Sequence, residues 1–146
     1  MKKLVFIPLL ITTIGLSVFY KNITGFFLPE KPVNKELNLS IATAANYHSR
    51  AYENAQPSVR VSIYKIRGKQ KMLIWEKTFD TLQLKRYPDY RSPMVNSITI
   101  PNVVSNREKI IVVYTITYNT QGSILQMANG KVFPGKNNRD KLEILI

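Results

Sequence analysis

Five cations, Arg60, Lys65, Arg67, Lys69 and Lys71, fall within twelve residues that contain no acid. Basic side chains at this density present a surface to an anionic partner, whether lipid headgroups, an anionic envelope polymer or an acidic protein. They also serve as gatekeepers that keep strand edges from pairing. Side chains suited to catalysis are sparse. The one histidine, His48, lies in a polar stretch between Tyr47 and Ser49, and only composition would join it to Ser49 and Asp80 as base, nucleophile and acid. Nine carboxylates are scattered along the chain, with Asp89, Glu108 and Asp140 in separate expected loops, so none gather in the way calcium requires. The chain has no cysteine, which excludes disulfides, thiolate metal sites, a catalytic thiol and a lipid-bearing cysteine. No glycine-rich phosphate loop or HExxH pattern occurs. The expectation is a protein that is not an enzyme, with no catalytic, cofactor or metal site.

A second candidate binding element is the run Tyr87-Pro88-Asp89-Tyr90. Two X-Pro steps, Tyr87-Pro88 and Ser92-Pro93, keep residues 85–93 out of a strand ladder, and loops at the end of a β-domain commonly carry binding residues. Tyr87 and Tyr90 are therefore expected to be exposed there. Trp75, alternating with Leu73 in a strand pattern, is read as core.

The elements that must hold these residues follow from period-two alternation and turn chemistry. Leu37, Leu39 and Ile41 alternate with polar residues as a first half-buried strand. Val59, Val61 and Ile63 form the best two-faced strand, and Arg67-Gly68-Lys69 turns it into residues 72–79 as a hairpin. Residues 95–100 form the next strand. Residues 109–119 are the longest β signal and are read as a central strand with both faces coverable. Gln121-Gly122 turns into residues 123–127, and Asn129-Gly130, the strongest tight-hairpin dipeptide, is expected to turn again into residues 131–133. Leu142, Ile144 and Ile146 close the chain. The reading is an all-β, single antiparallel sandwich of seven or eight strands, immunoglobulin-like, C2-like or transthyretin-like, over residues 36–146.

Ahead of it, Leu4, Phe6, Ile7, Leu10, Ile14, Leu16 and Phe19 belong to a charge-free apolar run behind Lys2 and Lys3. Seventeen residues is the short end of a membrane-spanning helix and long for a signal-peptide core. No clean Ala-x-Ala site follows. Residues 1–20 are read as one hydrophobic helix acting as an uncleaved anchor, the alternative being a cleaved signal and a secreted or cell-surface product. The two lysines favour a cytoplasmic N-terminus and an extracytoplasmic domain. Residues 21–35, with Gly25, Pro29, Pro32 and mixed charge, are the linker. Residues 30–146 hold 18 basic and 9 acidic side chains, 18 − 9 = +9. Membrane lipid, a protein partner or self-assembly, and an anionic envelope polymer are the partners this implies. Nucleic acid is disfavoured because an exported domain seldom meets it.

The stretch Leu37-Asn38-Leu39-Ser40-Ile41-Ala42, a polar loop, then Pro57-Ser58-Val59-Arg60-Val61-Ser62-Ile63-Tyr64 resembles the opening two strands of the transthyretin-like periplasmic accessory lipoprotein of type VI secretion. The resemblance covers under a fifth of the chain, and the cysteine that bears the lipid in that family is absent, so no function is carried over. Two functional readings remain. One is a membrane-anchored interaction or accessory component of the cell envelope. The other is a structural subunit of a surface assembly whose strand with Leu37, Leu39 and Ile41 is donated to a neighbour's sheet.

Overall fold

The computed structural model describes residues 30–44 and 54–146. The apolar run 4–20, with its candidate anchor residues, lies outside the described residues, as do His48 and Ser49. Among the described residues no helix is long and apolar enough to cross a membrane.

Among the described residues seven strands form: β1 Val33–Ala42, β2 Gln56–Arg67, β3 Gln70–Phe79, β4 Met94–Val103, β5 Glu108–Thr120, β6 Ser123–Pro134 and β7 Arg139–Leu145. They make a three-stranded sheet of order β4-β1-β7 and a four-stranded sheet of order β3-β2-β5-β6. All pairings between these strands are antiparallel except β1 with β7. Alternation in the sequence sets which side chains meet. Leu37, Leu39, Ile41, Ile98, Ile100, Leu142 and Ile144 from one sheet share a single core with Val59, Val61, Ile63, Ile110, Val112, Ile116 and Phe133 from the other. Every described strand and every described core residue lies within Pro32–Ile146, so this unit carries its own core.

β1 begins at Val33, inside the stretch expected as linker, although it opens on the polar residues Asn34 and Lys35. Lys35 explains this. Its side chain is 1% exposed, and its ammonium donates to the carbonyls of Pro134 at 2.7 Å and Asn137 at 2.6 Å and lies 2.6 Å from Asp140 Oδ2. A buried ammonium is tolerable only with its donors satisfied in this way.

The turn expected at Asn129-Gly130 does not form. β6 passes straight through it, with Asn129 opposite Tyr114 and Gly130 opposite Val113 in an unbroken ladder. The tight turn that Asn-Gly favours needs positive φ at both central residues, and neither residue has it; among the described residues Gly68 (φ 57°) and Gly122 (φ 96°) are the glycines that do, each in a turn between paired strands. Twelve consecutive pairings with β5 outweigh a two-residue preference, and the Asn129 side chain accepts from the Gly130 N–H at 2.7 Å instead. β5 is interior, as expected, but only its inner face is buried; Ile111, Val113, Thr115 and Thr117 on the outer face are half-buried with no third layer over them among the described residues.

Candidate interaction surface

The hairpin β2–β3 distributes the five sequence-singled cations to three different places. Arg60 faces outward in the middle of the four-stranded sheet, opposite Thr78 and Thr115. Its guanidinium donates to Glu76 Oε1 at 2.7 Å, and Ser62 donates to Glu76 Oε2 at 2.6 Å. The bond to Glu76 raises the Arg60 pKa, and the bonds from Arg60 and then Ser62 hold the Glu76 carboxyl below its ordinary range. Arg60 is thus already neutralised. Lys65 turns inward instead, because it follows Ile63 on the core face; it donates to the Asn102 carbonyl of the other sheet at 3.2 Å and lies 3.9 Å from Glu108. It ties the sheets together.

The remaining three reach the turn. Arg67 and Lys69 are exposed with no side-chain partner among the described residues, and the Lys71 ammonium stands 3.9 Å over the Tyr64 ring. Register brings further cations to the same end. Arg67 lies opposite Glu108 and Ile66 opposite Lys109, so Arg107 and Lys109 join the cluster from β5 and its preceding turn. Lys109 pairs with Pro134, which places Lys136 there too. Gly135 holds that last loop down: a Cβ on it would meet the Glu108 carbonyl at 2.4 Å and the Ser105 carbonyl at 2.6 Å. Arg67, Lys69, Lys71, Arg107, Lys109 and Lys136 are all exposed. The carboxylates at this end are engaged. Glu108 is 6% exposed and accepts from the Val104 N–H at 2.8 Å, Asp140 is held by Lys35, and Glu36 is 3.0 Å from Arg139. One end of the sandwich is therefore a cationic pole.

The expected tyrosine loop divides. Tyr90 is 49% exposed, with the Arg91 Nε donating to its hydroxyl at 3.0 Å, and Asp89 Oδ1 accepts the Arg91 and Ser92 N–H groups. Tyr87 is not part of an exposed loop. It is 5% exposed, because a 3-10 turn at Leu84–Arg86 buries Leu84 and folds the Tyr87 ring onto the core. Its hydroxyl makes no hydrogen bond among the described residues, and burial, with the Asp80 charge second, raises its pKa.

The strand proposed as a donor, with Leu37, Leu39 and Ile41, is the centre of its own sheet, paired on one side to β4 and on the other to β7. All three residues are at most 1% exposed. Asp80 is exposed at the end of β3. No three His, Asp or Glu side chains converge in a metal-binding arrangement among the described residues. A depression of about 800 Å³ is lined by Asn54, Ala55, Gln56, Gln83, Asn119, Thr120 and Gln121, none of them an acid or a base.

Four strands lie at sheet edges, and three of them are guarded. β3 carries Lys71, Glu76 and Lys77 and a register shift opposite Ile63/Tyr64; β4 contains Pro101; β7 is seven residues long and holds Arg139, Asp140, Lys141 and Glu143. Charges, prolines, bulges and shortness are the devices that blunt edges. β6 has few: it is twelve residues long and unbroken in register, with Lys131 as its one charge and its proline, Pro134, only at the last position. Eleven of its residues are exposed, including Ile124 (70%), Met127 (54%) and Val132 (56%). The sequence concealed this edge, because Asn129-Gly130 cuts it in two when read for turns.

Compared with models of protein families, with curated proteins and with solved structures, the chain matches none.

Proposed function

We propose that this protein is an exported, membrane-anchored β-sandwich that works by binding, as an interaction or accessory component of the cell envelope. The observation that carries the reading is the thinly guarded β6 edge: a row of backbone donors and acceptors with no second strand partner among the described residues, flanked by Ile124, Leu125, Met127 and Val132 and suited to an extended segment of a partner protein with apolar residues at alternate positions. The apolar run behind Lys2 and Lys3 supports the anchor. Of the three sandwich types expected, we favour the transthyretin-like one. An immunoglobulin sandwich distributes its strands as ABED and CFG, with the first strand at an edge, whereas β1 is central and carries a parallel last strand beside it. Donation of β1 to a neighbour requires opening two ladders at once, and no observation favours it.

The test is site-specific photocrosslinking in the intact, membrane-resident chain. A photoreactive residue at Met127 should yield one discrete protein adduct, and the same probe at Val95, which is 63% exposed on the guarded strand β4, should not. Equal labelling from both positions, or none from Met127, would overturn the reading.

A further inference from the structure

The cationic pole lies where the chain enters the sandwich. Val33 pairs with Val103 at the start of β1, Asn34 Oδ1 accepts from the Asn102 N–H at 3.4 Å, and Asn102 is the residue whose carbonyl holds Lys65. A chain tethered through residues 1–20 therefore arrives at the pole. The expected linker that remains before β1, residues 21–32, spans at most roughly 40 Å when fully extended. The anionic surface this pole meets at the highest effective concentration is the membrane that holds the tether. Met72 and Leu73, 55% and 51% exposed, stand beside Lys71 and give the pole apolar side chains for the headgroup region.

We propose that the pole formed by Arg67, Lys69, Lys71, Arg107, Lys109 and Lys136 docks on anionic phospholipid headgroups. This rests on the tethered reading above. Docking holds the sandwich end-on to the bilayer and turns the β6 edge sideways, available to a partner. Bilayer is favoured over an acidic protein because the tether enters the sandwich at this end and the six cations come from three separate chain segments spread across it, a form that fits a plane of charge rather than a peptide. Each basic residue near an anionic membrane surface contributes roughly a fivefold gain in binding.

The experiment uses residues 30–146, which contain all seven described strands and every described core residue, so that failure of the tether cannot be mistaken for failure of the pole. Co-sedimentation with vesicles of phosphatidylcholine containing phosphatidylglycerol should show binding that vanishes with pure phosphatidylcholine and weakens steeply with salt. Lys69→Glu with Lys71→Glu and Lys109→Glu should weaken it by more than about 100-fold. Arg86→Glu with Arg91→Glu and Lys85→Glu, an equal charge change in residues 80–93, should leave it within a fewfold of the unaltered protein. Thermal melts establish that both variants fold. Equal loss in the two variants would mean that net charge alone acts and would overturn the proposal. So would binding of a soluble acidic polypeptide or anionic polysaccharide without binding of vesicles.

Discussion

Replacing Lys35 with alanine is the perturbation whose size follows most directly from the structure. The ammonium is 1% exposed and is shared by three oxygens, from Pro134, Asn137 and Asp140, all within 2.7 Å. Removing it leaves the Asp140 carboxylate, 9% exposed, without its counter-ion and two carbonyls without a donor. Breaking a buried pair by deleting one partner costs about 3–5 kcal/mol. For a domain of roughly 110 residues that corresponds to a melting-temperature drop of about 12–20 °C, at ~4 °C per kcal/mol. Urea unfolding followed by circular dichroism reads the free energy directly. The paired change Lys35→Met with Asp140→Leu should recover part of the loss, since the carboxylate is gone while the carbonyls stay unpaired. A loss below about 1 kcal/mol for Lys35→Ala, the range of an exposed ion pair, would refute the argument that this cluster holds β1 to residues 134–140.

Gly135→Ala should destabilise by about 1–3 kcal/mol, because both oxygens that its Cβ would strike belong to backbone; denaturant midpoints check this. Tyr87→Phe should leave stability unchanged or slightly raised, by up to about 1 kcal/mol, since it removes a buried hydroxyl that lacks a partner among the described residues; a loss above about 2 kcal/mol would contradict that. Glu76 has its folded pKa depressed, by Arg60 first and Ser62 second, so its contribution is present above the ordinary carboxylate pKa and is lost as pH falls through the lower folded value. Glu76→Gln should flatten that acid-side limb of the stability profile while leaving the limb above neutrality unchanged, as read by melts across pH.

The inward pattern of β1, β2 and β5 was legible because alternation is local: Leu37, Leu39, Ile41, Val59, Val61 and Ile63 announce one buried face each. What escaped the sequence is set by partners distant in the chain. Lys35 reads as linker because the carbonyls that bury it lie 99 and 102 positions away. Asn129-Gly130 reads as a turn because the twelve pairings that keep it extended belong to β5. Tyr87 reads as exposed because the turn at Leu84–Arg86 that folds it inward has no strong sequence signal. The cationic cluster was half legible. Arg67, Lys69 and Lys71 are neighbours in sequence, whereas Arg107, Lys109 and Lys136 join them only through register, and the same register turns the half-buried Lys65 toward the other sheet and leaves Arg60 beside Glu76.

That the sandwich works while tethered to a membrane is tested most directly by the intact mass of the chain recovered from native membranes after a high-salt wash. A tethered chain still carries residues 1–20 and stays with the membrane through the wash. A mass lacking about the first 17 to 28 residues, with the protein released into the soluble fraction, would contradict it.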